Sequence, residues 1–380
     1  MGGTRVGRGG RMRRRAVIEG WASVVVAWAT GLGMAIPAAG QMPADSAIAT
    51  YERAVRQRLD SNNIPGASIA VVRGGEIVYQ RSFGLADVEL GVPVTDSTVF
   101  EIGSVSKQFV AAAAVLIEEE GRLDLDAPIH TVLGWLPGEW RGATIRQLLT
   151  HTSGIPDYEA IAGYRVYDRR ATASEIVAIA QSRPVDFPPG EGFEYSNTGY
   201  YLLSLILEAV EGESIGRVLD RRIFAPLGMR STRMADPESI IPHRAKGYYQ
   251  DRNRTLINIP PSQPSATLGA GGLVSTVHDL ARWDAALRGT TLLSEAAKAR
   301  IWAPTALPDG RAIDYGFGWR VEPYGEHRQQ YHYGMTHGFI ANLTRLPDAD
   351  LTVIALANRY REDLGRIVVP TLDLFLEAGG

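Results

Sequence analysis

The sequence predicts an α/β protein of the α+β kind, with one antiparallel sheet built from both chain ends, flanked by helices, and an inserted all-helical lobe. Strand-like patterning lies near the start and near the end of the 380-residue chain, and helical periodicity dominates between them. A hydrophobic fraction of 45% and a charged fraction of 21% are typical of a globular protein with a sizeable core. We expect an active-site cleft between sheet and lobe.

The first part of the predicted sheet is a hairpin that follows a helix. The predicted elements are a helix at 46–60, strands at 66–73 and 76–84, and a largely buried helix within 100–121. Gly74 and Gly75 separate the two strands and are a strong signal for a tight turn. The hairpin therefore places the N-terminal region in the sheet.

Helices are predicted for the middle of the chain and strands again for its end. The predicted helices lie at 144–150, 174–182, 199–210, 277–287 and about 364–376. A glycine-rich turn is predicted at 269–276, and strands at 315–321, 329–334, 339–346 and 351–358. We thus expect sheet residues at about 47–103 and 265–380, and the helical lobe at about 104–264.

The first 40 residues have the layout of a secretory signal peptide. Six arginines within the first 15 residues precede an apolar run at 20–36, and the small residues at 37–40 offer a cleavage site before Gln41. Arg14 and Arg15 hint at twin-arginine export. We expect one domain at 41–380, exported to the periplasm or the medium, with an uncleaved membrane anchor as the alternative.

Charge and cysteine content exclude several classes of partner and chemistry. Without residues 1–40 the chain carries 33 basic and 41 acidic residues, and this net charge of −8 argues against nucleic acid as a partner. The chain has no cysteine, hence no disulfide, no thiol nucleophile and no cysteine for a lipid anchor. The seven histidines lack the spacing of a zinc site, and no dinucleotide or P-loop motif is present, so neither metal nor cofactor is expected.

The segment 100–121 places a serine and a lysine where they suit acyl transfer. Ser104 lies at the predicted helix start, where backbone N–H groups are unpaired, and Lys107 follows on the same face. The lysine side chain leans toward the helix N-terminus and so toward the serine. The chain has three lysines against 36 arginines, and lysine, unlike arginine, can release its proton. An N-cap serine before a solvated lysine is the structural alternative.

Three motifs together resemble those of the serine β-lactamase and penicillin-binding protein superfamily. They are Ser104-x-x-Lys107, Tyr195-Ser196-Asn197 and His332-Tyr333-Gly334. The Tyr-Ser-Asn form resembles the branch that holds class C β-lactamases, DD-carboxypeptidases, D-aminopeptidases and related esterases, as do the segments 148–154, 187–190 and 271–273. The likeness spans about residues 47–375 and implies a β-lactamase/transpeptidase-like fold.

The resemblance implies a serine hydrolase that forms an acyl-enzyme on Ser104. Lys107 and Tyr195 are the expected proton-transfer groups, and we expect a coupled pair because a nearby ammonium lowers the pKa of a phenol. The residues expected to bind substrate are Asn197, His332, Gly334 and Met335. The amide of Asn197 holds the substrate and fixes Lys107, and His332 supplies a positive or polar wall near the leaving group. The N–H groups of Ser104 and Met335 form the oxyanion hole.

Two neighbouring polar residues receive a structural interpretation. His151 and Ser153 lie in the loop after the predicted helix 144–150, and we expect both side chains to bond backbone groups there.

The third motif departs from the family pattern, and the departure affects the expected substrate. His332 replaces a lysine, and Tyr333 replaces a threonine whose hydroxyl helps to bind a β-lactam carboxylate. We therefore expect small esters or short peptide amides, such as D-amino-acid peptides, to react faster than β-lactams. A peptidoglycan fragment is a further possible substrate. The alternatives are a true class C β-lactamase and a non-catalytic envelope protein that only binds penicillin or peptidoglycan, although a pure binder needs no activated serine.

Overall fold

A computed structural model of the protein describes residues 42–379, so the predicted signal peptide at 1–40 lies outside the described residues. Within that range, no helix combines the length and the apolar character needed to cross a membrane.

The α-helices account for most of the regular structure in the middle of the described chain. They are α1 (Asp45–Ser61), α2 (Ser106–Glu119), α3 (Ile145–Leu149), α4 (Tyr158–Ala162), α5 (Ala173–Gln181), α6 (Asn197–Glu211), α7 (Ile215–Leu219), α8 (Pro264–Thr267), α9 (Val277–Arg288), α10 (Glu295–Ile301) and α11 (Gly365–Gly379).

The strands lie mainly toward the two ends. They are β1 (Gly66–Arg73), β2 (Glu76–Asp87), β3 (Val92–Pro93), β4 (Phe100–Glu101), β5 (Arg233–Met234), β6 (Gly247–Gln250), β7 (Leu256–Ile259), β8 (Leu273–Ser275), β9 (Thr305–Ala306), β10 (Ala312–Ile313), β11 (Arg320–Tyr324), β12 (His327–Thr336), β13 (Phe339–Leu346) and β14 (Leu351–Ala357).

One seven-stranded antiparallel sheet joins the two ends of the described chain, which confirms the predicted fold class. Its strand order is β11-β12-β13-β14-β1-β2-β3, and the ends meet where β1 pairs with β14, with Ala67 opposite Ala357. The hairpin between β1 and β2 turns at Gly74 and Gly75, both of which have positive φ. The predicted turn is therefore confirmed.

Helices cover both faces of this sheet because successive side chains of a strand point to opposite sides. Ile69 and Val71 of β1 join a core with α1 and α11, whereas Ala70 and Val72 join the larger core that contains α2 and α9. Helix α2 is enclosed almost completely, with the alanines at 111–114 buried. The helix that follows Ser104 thus has a rigid setting.

Three details of the sequence prediction are wrong. The lobe is not all-helical, because β5 joins β8 and β4 in a small sheet, and β6 and β7 form a hairpin rich in tyrosine and isoleucine. The glycine-rich turn contains strand β8. The strand predicted at 315–321 begins only at Arg320, because the chain turns at Gly318, whose φ is +75°.

Candidate active site

Ser104 lies in a short 3-10 turn, Gly103–Val105, between β4 and the start of α2. Gly103 has a φ of +50°, and a Cβ at this position would lie 2.6 Å from the backbone nitrogen of Met335. Only glycine fits this turn without strain, since both its φ and its clearance exclude a side chain. The backbone therefore holds Ser104 at the helix start, as predicted.

Strand β12 packs directly against the Ser104 turn. A Cβ on Gly334 would lie 1.9 Å from the carbonyl oxygen of Ile102 and 2.9 Å from the backbone nitrogen of Ser104. This close approach explains a glycine in the third motif. Because Met335 follows Gly334 and its nitrogen lies beside Gly103, the backbone nitrogens of Ser104 and Met335 are brought close together where β12 contacts the turn. Their role as oxyanion donors stays a prediction.

Lys107 is buried beneath Ser104, and its amine is surrounded by uncharged oxygens. Its Nζ lies 3.0 Å from Ser104 Oγ, 2.7 Å from Asn197 Oδ1 and 2.6 Å from the carbonyl oxygen of Ala270. The Asn197 and Ala270 oxygens can only accept hydrogen bonds, so each binds an N–H of the lysine. A neutral amine then directs its lone pair toward the serine hydroxyl.

Asn197 is held in the orientation that this arrangement requires. It begins α6, and its side-chain Nδ2 donates to Glu159 Oε2 at 3.1 Å and to Asp157 Oδ2 at 3.4 Å. The backbone N–H of Asn197 donates to Asp157 Oδ1 at 3.1 Å. Because carboxylates only accept, they fix the amide so that its oxygen faces Lys107.

Burial gives the Lys107 amine an unusual pKa. Desolvation lowers the pKa to about 7, and the negative charges of Glu159 and Asp157 oppose this shift. Burial, followed by the charge of Glu159, raises the pKa of Asp157 to about 6. Lys107 is therefore close to half neutral near pH 7, unlike a lysine in solvent.

Tyr195 lies beside the lysine, but the expected lowering of its pKa is wrong. Nζ of Lys107 lies 4.9 Å from the Tyr195 ring centroid, and the buried hydroxyl has no hydrogen-bond partner among residues 42–379. Burial, followed by the neighbouring Tyr315, raises the pKa of Tyr195 well above its usual value. The phenol stays protonated, and the amine is the group poised to accept a proton.

His332 is buried and uncharged, so it does not provide the positive wall that was one expectation. Its Nδ1 lies 2.6 Å from the carbonyl oxygen of Tyr333 and must donate to it, which leaves Nε2 to accept from the hydroxyl of Tyr315 at 3.0 Å. Burial, with the charge of Lys107, lowers the pKa of His332 to about 3. His332 is therefore a polar, neutral member of the site.

An arginine approaches the third motif from the neighbouring strand. The guanidinium of Arg320 lies 5.5 Å from the ring centroid of Tyr333, whose side chain is exposed. Nε of Arg320 is buried without a hydrogen-bond partner among the described residues. Arg320 therefore supplies a positive charge near the position where the family pattern has a lysine.

His151 and Ser153 have the structural surroundings expected of them. Nδ1 of His151 accepts the backbone N–H of Ser196 at 3.1 Å, and the ring packs on Tyr195 at 4.3 Å. Ser153 Oγ accepts the backbone N–H of Ile155 at 3.3 Å. Burial lowers the pKa of His151 well below its usual value. The loop thus supports Tyr195 from behind.

Sequence reasoning missed five residues around the site. They are Asp157, Glu159, Ala270, Tyr315 and Arg320. Asp157 had a readable signal, because an aspartate after proline and before a helical turn is a typical N-cap. The carbonyl of Ala270 had none, since a backbone oxygen carries no side-chain signature. Within the described part of the chain, no three His, Cys, Asp or Glu residues group as metal ligands.

Comparisons with known proteins agree with this geometry. The family model described as Beta-lactamase matches residues 51–375. Penicillin-binding protein 4* of Bacillus subtilis (strain 168) is 34% identical over 313 residues, which are 78% of this chain and 68% of that protein. Esterase EstB of Burkholderia gladioli is 31% identical over 298 residues, which are 74% of this chain and 69% of that protein.

A solved structure extends the likeness to the fold. The D-amino acid amidase from Ochrobactrum anthropi SV3, complexed with L-phenylalanine, superposes with a TM-score of 0.74 at 27% identity, covering 87% of this chain and 98% of that chain. The match spans the sheet and the helical region alike. The chain therefore belongs to the beta-lactamase family of serine hydrolases.

Proposed function

We propose that this protein is an exported hydrolase of small esters or D-amino-acid amides, acting through an acyl-enzyme on Ser104. One observation carries the proposal. Two neutral carbonyl oxygens, from Asn197 and Ala270, hold the amine of Lys107 3.0 Å from the serine hydroxyl. With a pKa of about 7, this amine can take the hydroxyl proton near neutral pH.

In the proposed acylation, Lys107 accepts the Ser104 proton while Oγ forms a bond to the substrate carbonyl carbon. The carbonyl electron pair moves to its oxygen, where the N–H groups of Ser104 and Met335 stabilise the negative charge. Collapse of this intermediate breaks the bond to the leaving group. The leaving group takes the hydroxyl proton of Tyr195, and Lys107 passes the serine proton on to Tyr195, whose ring centroid lies 4.9 Å from Nζ, so that the amine is neutral again.

Deacylation repeats these steps with water as the nucleophile. Water loses a proton to the neutral amine of Lys107 and adds to the acyl carbon. The bond between the acyl carbon and Ser104 Oγ then breaks, the acid product leaves, and Oγ regains a proton from the lysine. Because the amine begins and ends neutral, the catalytic cycle is closed.

The charges around the site favour a substrate with a free amino group on its acyl side. Glu159 and Asp157 lie beside Asn197, so a cationic group that approaches there meets two carboxylates. The similar amidase is named for D-amino acids, and a similar relative is named an esterase. We therefore propose D-aminoacyl amides and small esters as the substrate class.

Tyr333 makes β-lactams the weaker candidates. A tyrosine carries its hydroxyl several ångströms further from the backbone than the threonine of the family pattern. Arg320 lies against this ring and keeps one positive charge available for a carboxylate. Penicillin binding, for which one similar relative is named, is the second candidate function because of this arginine.

Steady-state kinetics test the substrate class. We expect kcat/KM for p-nitrophenyl acetate or butyrate and for D-alanine p-nitroanilide to exceed that for nitrocefin. Ser104→Ala is the matched control for background hydrolysis. A nitrocefin kcat/KM well above both others would contradict the proposal and favour a β-lactamase.

Export is a separate proposal that rests on residues 1–40 alone. We expect the mature chain to begin near Gln41 and to be found in the periplasm or the medium. N-terminal sequencing of the native protein decides this. Recovery of Arg13–Arg15 in the mature product would favour the membrane anchor instead.

A further inference from the structure

His337 joins the sheet to the helical region beside the candidate active site. It follows β12, is buried, and donates through Nε2 to the backbone carbonyl of Tyr164 at 2.7 Å. Its Nδ1 lies 3.5 Å from a carboxylate oxygen of Asp168. Tyr164 and Asp168 bound a single 3-10 turn, and His337 holds its first residue by a hydrogen bond while its Nδ1, which has no hydrogen-bond partner among the described residues, faces the last.

The turn is fixed from two further directions. The Tyr164 ring packs edge-to-face on Tyr360 with centroids 4.8 Å apart. The backbone N–H of Gln263 donates to the carbonyl of Tyr167 at 3.0 Å. The Tyr167 ring lies 5.5 Å from that of His337. Tyr164, Tyr167 and His337, called here the tyrosine–histidine wall, thus form a braced barrier.

This wall is tied to the reaction centre from both sides. On the sheet side, His337 is two residues beyond Met335. On the helical side, the Tyr167 hydroxyl donates to Glu159, which accepts from Asn197 Nδ2 at 3.1 Å. The wall therefore lies beyond Asn197 and Met335 as seen from Ser104.

The leaving group of the substrate is expected at the end of the cleft opposite the tyrosine–histidine wall. Tyr195, the proposed path for its proton, packs near His332, with centroids 6.1 Å apart, and near Tyr315 at 6.2 Å. These residues lie at the His332 end of the third motif, before Gly334. A substrate laid along β12 therefore directs its acyl portion toward the wall.

We propose that His337 is a specificity-determining residue, which closes the acyl end of the cleft and limits the length of the acyl group. This inference rests on the proposed function, because it takes Ser104 as the acylated residue. Its physical basis is steric, since a long acyl chain must displace a wall anchored at three places. Short acyl groups end before they reach the wall.

A series of p-nitrophenyl esters that share one leaving group tests this inference. For the wild type we expect kcat/KM for acetate to exceed that for octanoate by about 100-fold, within the range that pocket size commonly gives. His337→Ala removes the hydrogen bond to the Tyr164 carbonyl and the imidazole that packs on Tyr167. We expect it to reduce the acetate-to-octanoate ratio by about tenfold.

Two further variants complete the design. Tyr164→Ala removes a ring of the wall without altering His337, and we expect the same reduced ratio if His337→Ala fails to fold. His327→Ala, at the other end of β12, is the matched control and should keep the wild-type ratio.

The outcomes separate the two proposals. Equal rates on acetate and octanoate in the wild type, or a ratio unchanged in both wall variants, would overturn the role of His337 while leaving the acyl-enzyme intact. A folded wild type that hydrolyses no ester would overturn the proposed function, and the inference with it.

Discussion

Two lysines of this chain have opposite surroundings, and the contrast indicates which one can perform chemistry. Lys246 is partly exposed, pairs with Glu89 and lies 3.2 Å from Asp87, so these hydrogen bonds and charges raise its pKa. Lys107 is buried among the uncharged oxygens of Ser104, Asn197 and Ala270, and desolvation lowers its pKa to about 7. The surface site keeps its lysine protonated, whereas the cleft leaves the amine of Lys107 able to accept a proton near neutral pH.

The largest expected effect comes from removing the nucleophilic hydroxyl of Ser104. Ser104→Ala should lower kcat by about four to six orders of magnitude, because Ser104 Oγ is the hydroxyl that lies 3.0 Å from the Lys107 amine. Near-normal thermal unfolding should accompany the loss, since one small residue replaces another. Activity close to the wild type would show that the serine is structural.

The next effect separates the two lysines directly. Lys107→Arg should lower kcat/KM about as much as Lys107→Ala, by about 10²–10⁴-fold, because arginine keeps its proton. The same exchange at the surface, Lys246→Arg, should leave kcat/KM near the wild-type value. If Lys107→Arg stays active, the cleft needs only a positive charge there.

The pH dependence of the wild type follows from the lysine in the cleft. Lys107 must be neutral to accept a proton, so kcat/KM should rise as the pH increases through about 7 and then level off. p-Nitrophenyl acetate is the suitable substrate, since it has no group that titrates there. A profile flat from pH 5 to 9 would contradict the assignment of the base.

A smaller effect comes from the carboxylate behind Asn197. Burial lowers the pKa of Lys107, whereas the negative charges of Glu159 and Asp157 raise it. The histidines that also face the amine, His332 and His151, are neutral because their own pKa values are lowered. Glu159→Gln should therefore move the rising limb of the profile to lower pH. The plateau should change by less than about tenfold, the size of one hydrogen bond. A rising limb that moved to higher pH would contradict the proposal that Glu159 raises the pKa of Lys107.

The sequence predicted the outline of the fold because its signals are local. Short, largely apolar runs predicted the residue ranges of β1 and β13, and Gly74-Gly75 predicted the turn between β1 and β2. The spacing of Ser104 and Lys107 on one helical turn predicted their contact.

What the sequence did not predict depends on contacts between distant segments. The carbonyl of Ala270 reaches Lys107 across 163 positions of the chain. The raised pKa of Tyr195 results chiefly from burial, which no motif encodes. The expectation of a lowered phenol pKa considered the neighbouring charge and omitted desolvation, the larger of the two effects.

Covalent labelling is the most direct test of an acyl-enzyme on Ser104. The folded protein is treated with a fluorophosphonate, digested, and the modified peptide is mapped by mass spectrometry, with Ser104→Ala as the control. The account predicts one adduct, on Ser104, that forms faster as the pH rises through about 7. An adduct on another residue, or equal labelling of Ser104→Ala, would contradict it.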